Sequence, residues 1–218
     1  MTKIPVLLIG GGGHCASVID VIEATEQFEI KGIVEAENAQ NTSLLGYPVV
    51  GTDEDLDVLL SETPHCVLTV GQVKTAVLRQ MLYEKVKRHG GILPTIISPF
   101  ARVARSAKLG EGCVVMHHAL VNSCASIGHN CIINTHALVE HHALVGNHCH
   151  ISTGAILNGA VEVGNNCLVG SGAILLQDIQ VTSQTVLGAG SVVTKSIHES
   201  GIYIGNPTKL HRGLKDGE

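Results

Sequence analysis

The stretch Ile133-Asn134-Thr135-His136-Ala137-Leu138-Val139-Glu140-His141-His142-Ala143-Leu144-Val145-Gly146-Asn147-His148-Cys149-His150-Ile151 places an aliphatic residue at every sixth position, with a small residue (Ala137, Ala143, Cys149) two places before the next. A period of six matches neither an α-helix nor simple strand alternation. Outward from this stretch the rule holds without a miss. It runs back through Ile127, Val121, Val115, Leu109 and Val103 to Ile97, and forward through Leu157, Val163, Val169, Leu175, Val181 and Leu187 to Val193. The small slot is kept as well, from Ala101, Ala107, Cys113 and Ala119 to Ala155 and Ala173.

Six residues make one short strand and one corner. Three units close a triangular coil of 18 residues, whose strands pair in parallel with the next coil about 4.8 Å away. The anchors then point inward, and residues 95–218 read as a hexapeptide parallel β-helix, a solenoid. Cys113, Cys131, Cys149 and Cys167 lie one coil apart in the small slot. They read as a file of buried small hydrophobes, with a metal or redox ladder as the sharper alternative. Composition agrees with a narrow shaft. The chain has 218 residues, 44% apolar, with 25 glycines, no tryptophan, two phenylalanines and three tyrosines. Rings, the usual large blocks of buried area, have no room inside such a shaft, and Phe100 is the one aromatic within the repeat.

Bulk charge excludes other classes. With 14 basic and 19 acidic residues there is no electrostatic footprint for nucleic acid. No apolar run approaches the roughly 18 residues of a membrane span. Seven cysteines without a secretion signal imply reduced thiols and a cytoplasmic setting.

Residues 1–94 follow another grammar. Strands are expected at 4–9, 28–34 and 66–70, and helices at 14–24, 53–60 and 74–89, an alternation that implies a small parallel sheet joined to the solenoid at 92–94. Gly11-Gly12-Gly13-His14-Cys15-Ala16 fits the G-x-G-x-x-A turn of dinucleotide-binding units, with Glu35 near the place where an acidic residue meets a ribose. Glycine lets backbone approach phosphate, and the helix N-terminus favours anions; the alternative is a tight turn with no ligand. The length before the solenoid suits a mononucleotide half rather than a two-lobed domain. His14, at the mouth of the turn, is a candidate ligand contact or a helix cap.

Eight of the 13 histidines fall between 117 and 150: His117, His118, His129, His136, His141, His142, His148 and His150. All miss the anchor slots, so corners or outer faces near solvent are expected. His118 and His136 should stack. His141 has Ser123 one coil before it and Gly159 one coil after. An imidazole beneath a bare glycine amide suits acyl transfer, one group taking a proton and the other facing a developing oxyanion, although glycine also belongs at corners on its own account.

The Gly-Gly-Gly-His domain, the repeat carrying Val139-Glu140-His141-His142 and His148-Cys149-His150-Ile151-Ser152, and the ending Ile204-Gly205-Asn206-Pro207-Thr208-Lys209 together resemble the bacterial acetyltransferases of nucleotide-linked amino sugars. These are the bacillosamine- and perosamine-pathway enzymes of polysaccharide biosynthesis, with sialic acid O-acetyltransferases as relatives. The resemblance implies an α/β plus all-β chain: a Rossmann-like βαβ domain (1–94) binding the nucleotide sugar, then a left-handed β-helix (95–218) binding acetyl-CoA. It implies direct attack of the amine, that of a 4-amino-deoxy sugar in the family's usual chemistry, on the thioester. The catalytic positions are His141, as general base, and His142; relatives commonly carry an acidic residue in the latter place, and a neutral histidine supplies no fixed charge. His150, Gly159, Ser171 and Ala189 would contact the acetyl-CoA, and Gly12, Gly13, His14, Glu35 and Gly71 the nucleotide sugar. A homotrimer with active sites between subunits and no metal is implied. Three alternatives stand beside this reading: an O-acetyltransferase, a non-catalytic nucleotide-sugar binder, and a zinc enzyme of the gamma-type carbonic anhydrase kind. For zinc, His136 and His141 match a ligand pair but the third place holds Phe100. Base specificity depends on the loops 35–40 and 41–46, so neither UDP, GDP, dTDP nor CMP is selected.

Overall fold

The computed structural model describes residues 2–40, 42–73 and 75–214. Its first part contains β1 (Ile4–Ile9), α1 (Gly13–Thr25), β2 (Phe28–Glu35), β3 (Ser43–Leu44), β4 (Tyr47–Thr52), α2 (Leu56–Glu62), β5 (Cys66–Leu68) and α3 (Val77–Arg88). The sheet order is β3-β4-β2-β1-β5, parallel except for the β3–β4 pair. β1 is interior, between β2 and β5, and Val6 to Ile9 are at most 3% exposed, as a strand covered on both faces must be. The hairpin β3–β4 departs from the sequence reading, which expects no strand between 34 and 66. Leu45 and Gly46 both adopt positive φ (49° and 86°), the backbone of a two-residue hairpin turn, and Val50 packs where Gly32 leaves no space for a Cβ. α3 is shorter than expected. Its anticipated first residue, Lys74, lies outside the described residues, as do Asn41 and 215–218.

The second part is three ladders of two- to four-residue strands, parallel except where Lys209–Arg212 pairs antiparallel with Gly201–Ile204 at the end of the third. One face carries Arg102–Val103, Leu120–Val121, Leu138–Val139, Ile156–Leu157, Ile174–Leu175 and Val192–Val193; the next carries Lys108–Leu109 through Gln180–Val181; the third carries Ile96–Ile97 through Thr185–Leu187. Register advances by one coil at every step, for example Ile132 to His150 to Leu168. This is a small α/β domain followed by a left-handed parallel β-helix. From Val115 to Val193 no anchor is more than 4% exposed. The first anchor, Ile97, is 37% exposed because no coil lies beneath it, while at the far end Tyr203 packs against the shaft. The four column cysteines are buried and free, each thiol donating to a corner carbonyl, such as Cys149 Sγ to Gly164 O at 3.0 Å. They pack as small hydrophobes that also find a hydrogen bond.

The outward residues of the three faces differ. On the third face Ile96, Val114 and Met116 join the core built by Val6, Leu8, Val18, Ile19 and Ile22 of the first part, so the α/β unit lies against that face. Here one expectation is corrected. The sequence expectation of a site near solvent fails for His150; it is 8% exposed, because its outward face is the one the α/β unit covers. On the first face the outward row Leu120, Leu138, Ile156, Ile174 and Val192 is half-buried, and no element among the described residues covers it. No helix among the described residues is long and apolar enough to cross a membrane.

Candidate active site

The predicted nucleotide-side residues gather at the carboxyl edge of β1, β2 and β5. Gly10 has φ +99° and sits against Val70, and a Cβ on Gly11 would stand 2.7 Å from Glu35 Oε2. Gly12 and Gly13, by contrast, face open space. Gly12 caps α1 without any side-chain hydrogen bond, and the first turn holds no acidic residue, so its amide donors point outward unopposed. His14 lies behind them, its Cβ 3.5 Å from where a Cβ on Gly71 would be. Burial first, then Arg79 and His150, pull the His14 pKa down to about 3, and its Nε2 is enclosed without a partner.

Behind this edge runs a buried polar seam that the sequence did not reveal. Arg79 is fully buried; Nη1 donates to the carbonyls of Leu68 and Val70, both at 2.8 Å, and Nε donates to Asn130 O at 3.4 Å. Its pKa falls to about 10, chiefly through burial. In a helix with an exposed face a single arginine reads as solvated, so no pattern marked it. His150 belongs to the same seam. Its Nδ1 donates to Gln72 O at 2.7 Å, and Nε2 accepts from Asn134 Nδ2 at 3.0 Å. Burial outweighs the Gln72 bond and lowers its pKa to about 4, so the ring is neutral with both nitrogens engaged.

His141 and His142 lie elsewhere, on the solenoid corner opposite the face that the α/β unit covers. The stacking arithmetic holds. A Cβ on Gly159 would meet His141 Cε1 at 2.6 Å and Nε2 at 2.9 Å, so only glycine leaves room for the ring. His141 Nδ1 and His142 Nδ1 are 3.2 Å apart. Glu140 points away from the imidazole: its Oε2 accepts from the His141 backbone N–H at 3.0 Å and from Asn122 Nδ2 at 2.7 Å. Successive amides of this column can then be compared. That of Ser123 donates to Asn122 Oδ1 at 2.8 Å and that of His141 to Glu140. The Gly159 amide has no acceptor among the described residues, Asn158 having turned its own amide to Leu175 O at 2.6 Å. A proton acceptor and a free backbone donor therefore adjoin in one open cleft of about 500 Å³, also lined by Leu138, Asn158, Gln177 and Asp178.

Ser171 and Ala189 occupy a third place, exposed on the corner between the covered face and the apolar row; their amides likewise have no acceptor among the described residues. His118 and His136 stack there at 4.9 Å and 16°. His136 and His141 are thus on different corners, and among the described residues no group of three His, Cys, Asp or Glu side chains is arranged to hold a metal ion. In this chain the Gly12–Gly13 edge and the His141 cleft are separate.

Residues 5–86 match the family described as the PglD N-terminal domain. PerB from Caulobacter crescentus, solved with CoA and GDP-perosamine, is 35% identical, with 95% of this chain and 97% of that chain covered and a TM-score of 0.89. The acetyltransferase domain of PglB from Neisseria gonorrhoeae FA1090 is 32% identical over 95% of this chain and 100% of that one, with a TM-score of 0.88. Perosamine N-acetyltransferase from Caulobacter crescentus was also solved with a histidine replaced by asparagine, again with CoA and GDP-perosamine, at 34% identity over 95% of this chain and 97% of that chain and a TM-score of 0.89. No curated protein gives a significant match.

Proposed function

The chain belongs to the bacterial nucleotide-sugar N-acetyltransferases, and from that premise we propose that it transfers the acetyl group of acetyl-CoA to the 4-amino group of a nucleotide-linked deoxy sugar, with His141 as general base. The observation that carries this reading is the free Gly159 amide standing beside the His141 ring. His141 Nε2 takes a proton from the sugar amine as its nitrogen attacks the thioester carbonyl. The Gly159 N–H donates to the oxygen on which charge develops. The C–S bond then breaks, and CoA leaves as the thiol with the proton returned from the imidazolium. No acetyl-enzyme is formed and no cysteine is a nucleophile; the column thiols are buried in the shaft.

Residues 1–94 are assigned the nucleotide sugar, with the Gly12 and Gly13 amides toward its phosphates and His14, Glu35 and Gly71 lining the pocket. Residues 95–218 are assigned acetyl-CoA, its arm passing the free amides at Ser171 and Ala189. His150 is carried into this proposal as a wall at the thioester end rather than as a proton donor, since both its nitrogens are engaged. The chain acts as a homotrimer in the cytoplasm. Two features support the trimer: the uncovered apolar row Leu120, Leu138, Ile156, Ile174 and Val192, and the separation of nucleotide edge and His141 cleft within one protomer, which a neighbouring copy would bridge.

The test is release of CoA thiol on mixing the protein and acetyl-CoA with matched nucleotide sugars bearing either a 4-amino or a 4-hydroxyl group. Release with the amine alone is expected. Equal or faster release with the hydroxyl sugar would make this an O-acetyltransferase, and nucleotide-sugar binding without acetyl-CoA binding in calorimetry would make it a sensor. A thermal-shift panel of UDP, GDP, dTDP and CMP identifies the base.

A further inference from the structure

We infer that His142 is a positioning residue that orients and supports His141 through a neutral imidazole–imidazole hydrogen bond. This rests on the reading of His141 as the base. The two Nδ1 atoms are 3.2 Å apart with the rings nearly perpendicular, at 81°. Such a contact needs one donor and one acceptor. For His141 to take a proton at Nε2, the nitrogen at the Gly159 edge, that atom must begin bare. The proton of the neutral ring is then on Nδ1, which donates to His142 Nδ1, and His142 carries its own proton on Nε2. One tautomer pair alone satisfies both conditions.

Among the described residues no carboxylate is hydrogen-bonded to either ring. Glu140 is the adjacent carboxylate, and its Oε2 is committed to the His141 amide and Asn122. In the His142 column Cys124 lies one coil before and Ala160 one coil after. Asp178, two coils on, lines the cleft together with Gln177. The backbone is arranged to present the second ring: His142 has φ 60°, and its N–H donates to Ser123 O at 3.1 Å. That conformation is open to Asn and Asp and strained for most other residues.

When His141 takes the sugar's proton, its Nδ1–H belongs to a cation and the bond to His142 strengthens. The acceptor therefore favours the protonated state reached during the reaction, less strongly than a carboxylate would. Proton removal by His141 requires its neutral ring, so activity falls toward acid pH. Removing the acceptor should move that acid limb to lower pH, and adding charge should move it to higher pH.

The experiment is the pH dependence of kcat at saturating acetyl-CoA and nucleotide sugar for the full-length wild type and for His142→Ala, His142→Asn and His142→Asp, with His141→Ala in parallel. Expected for His142→Ala is a kcat about tenfold lower, a limb displaced to lower pH and an unchanged KM for acetyl-CoA. His142→Asn, which keeps an acceptor and tolerates the backbone, should recover most of the rate. His142→Asp should raise the limb by about one pH unit. If the limb stays put in all three while His141→Ala is inactive, the pair is overturned and the base stands. Near-wild-type turnover in His141→Ala would overturn both.

Discussion

Two corners of the solenoid are built by one rule and put to opposite ends. Along the corner that faces the α/β unit's α3, each backbone amide finds a side chain of the next coil: Glu111 N to His129 Nδ1 at 3.1 Å, His129 N to Asn147 Oδ1 at 2.8 Å, Asn147 N to Asn165 Oδ1 at 2.7 Å, and Asn165 N to Ser183 Oγ at 2.9 Å. The polar side chains there are used up in satisfying backbone, as a stable turn demands. On the corner of His141 the same positions break the ladder. Glycine replaces the capping side chain at 159, its amide is left free, and the imidazole below keeps its Nε2 edge toward the cleft. Histidine occurs in both columns, so residue type does not separate them. Whether a ring nitrogen already has a backbone partner does.

That contrast is broken most sharply at His141 itself. His141→Asn should lower kcat by about two to four orders of magnitude with the melting temperature nearly unchanged, measured by CoA release and calorimetry. Turnover close to wild type would make this corner merely another turn. Gly159→Ala sharpens the comparison differently, since it retains the amide and displaces the ring. A methyl 2.6 Å from Cε1 must push the imidazole aside. A misplacement near 1 Å costs on the order of a hundredfold, so kcat should fall by about that factor while the KM for the nucleotide sugar, whose nucleotide half is assigned to residues 1–94, stays put. An unaltered kcat would mean that the packing of His141 against Gly159 has no part in the chemistry.

The solenoid was legible because its physics is one-dimensional. A six-residue period with inward anchors determines register, and register alone put Gly159 over His141 and His118 under His136. The α/β unit was legible at β1, whose apolar run is unambiguous, and less so at β4, where Tyr47–Thr52 is short, contains proline and glycine, and depends on a turn at Leu45–Gly46. What the sequence could not show was anything arising between the two parts. His150 obeys the same outward slot as Leu144's row on another face, and only the docking of the α/β unit makes it buried. Arg79 has no pattern at all, because its partners are the carbonyls of Leu68, Val70 and Asn130. The free amide at Gly159 was readable as a glycine over a histidine; that Asn158 declines to cap it was not, since side-chain direction is settled by the Leu175 carbonyl.

The smallest test addresses the structural corner. Asn165→Ala removes the acceptor for the Asn147 amide, on an exposed turn where water can replace it. The expected loss is about 0.5 to 1 kcal/mol of stability, read as a modest fall in melting temperature, with kcat and both KM values unchanged. The size matters less than the pattern across the columns. Substitution in the capped corner should move stability and leave rate alone, while His141→Asn moves rate and leaves stability alone. An Asn165→Ala variant that lost turnover at full stability would show that the capped ladder also carries function, and the assignment of chemistry to the uncapped corner would have to be shared between them.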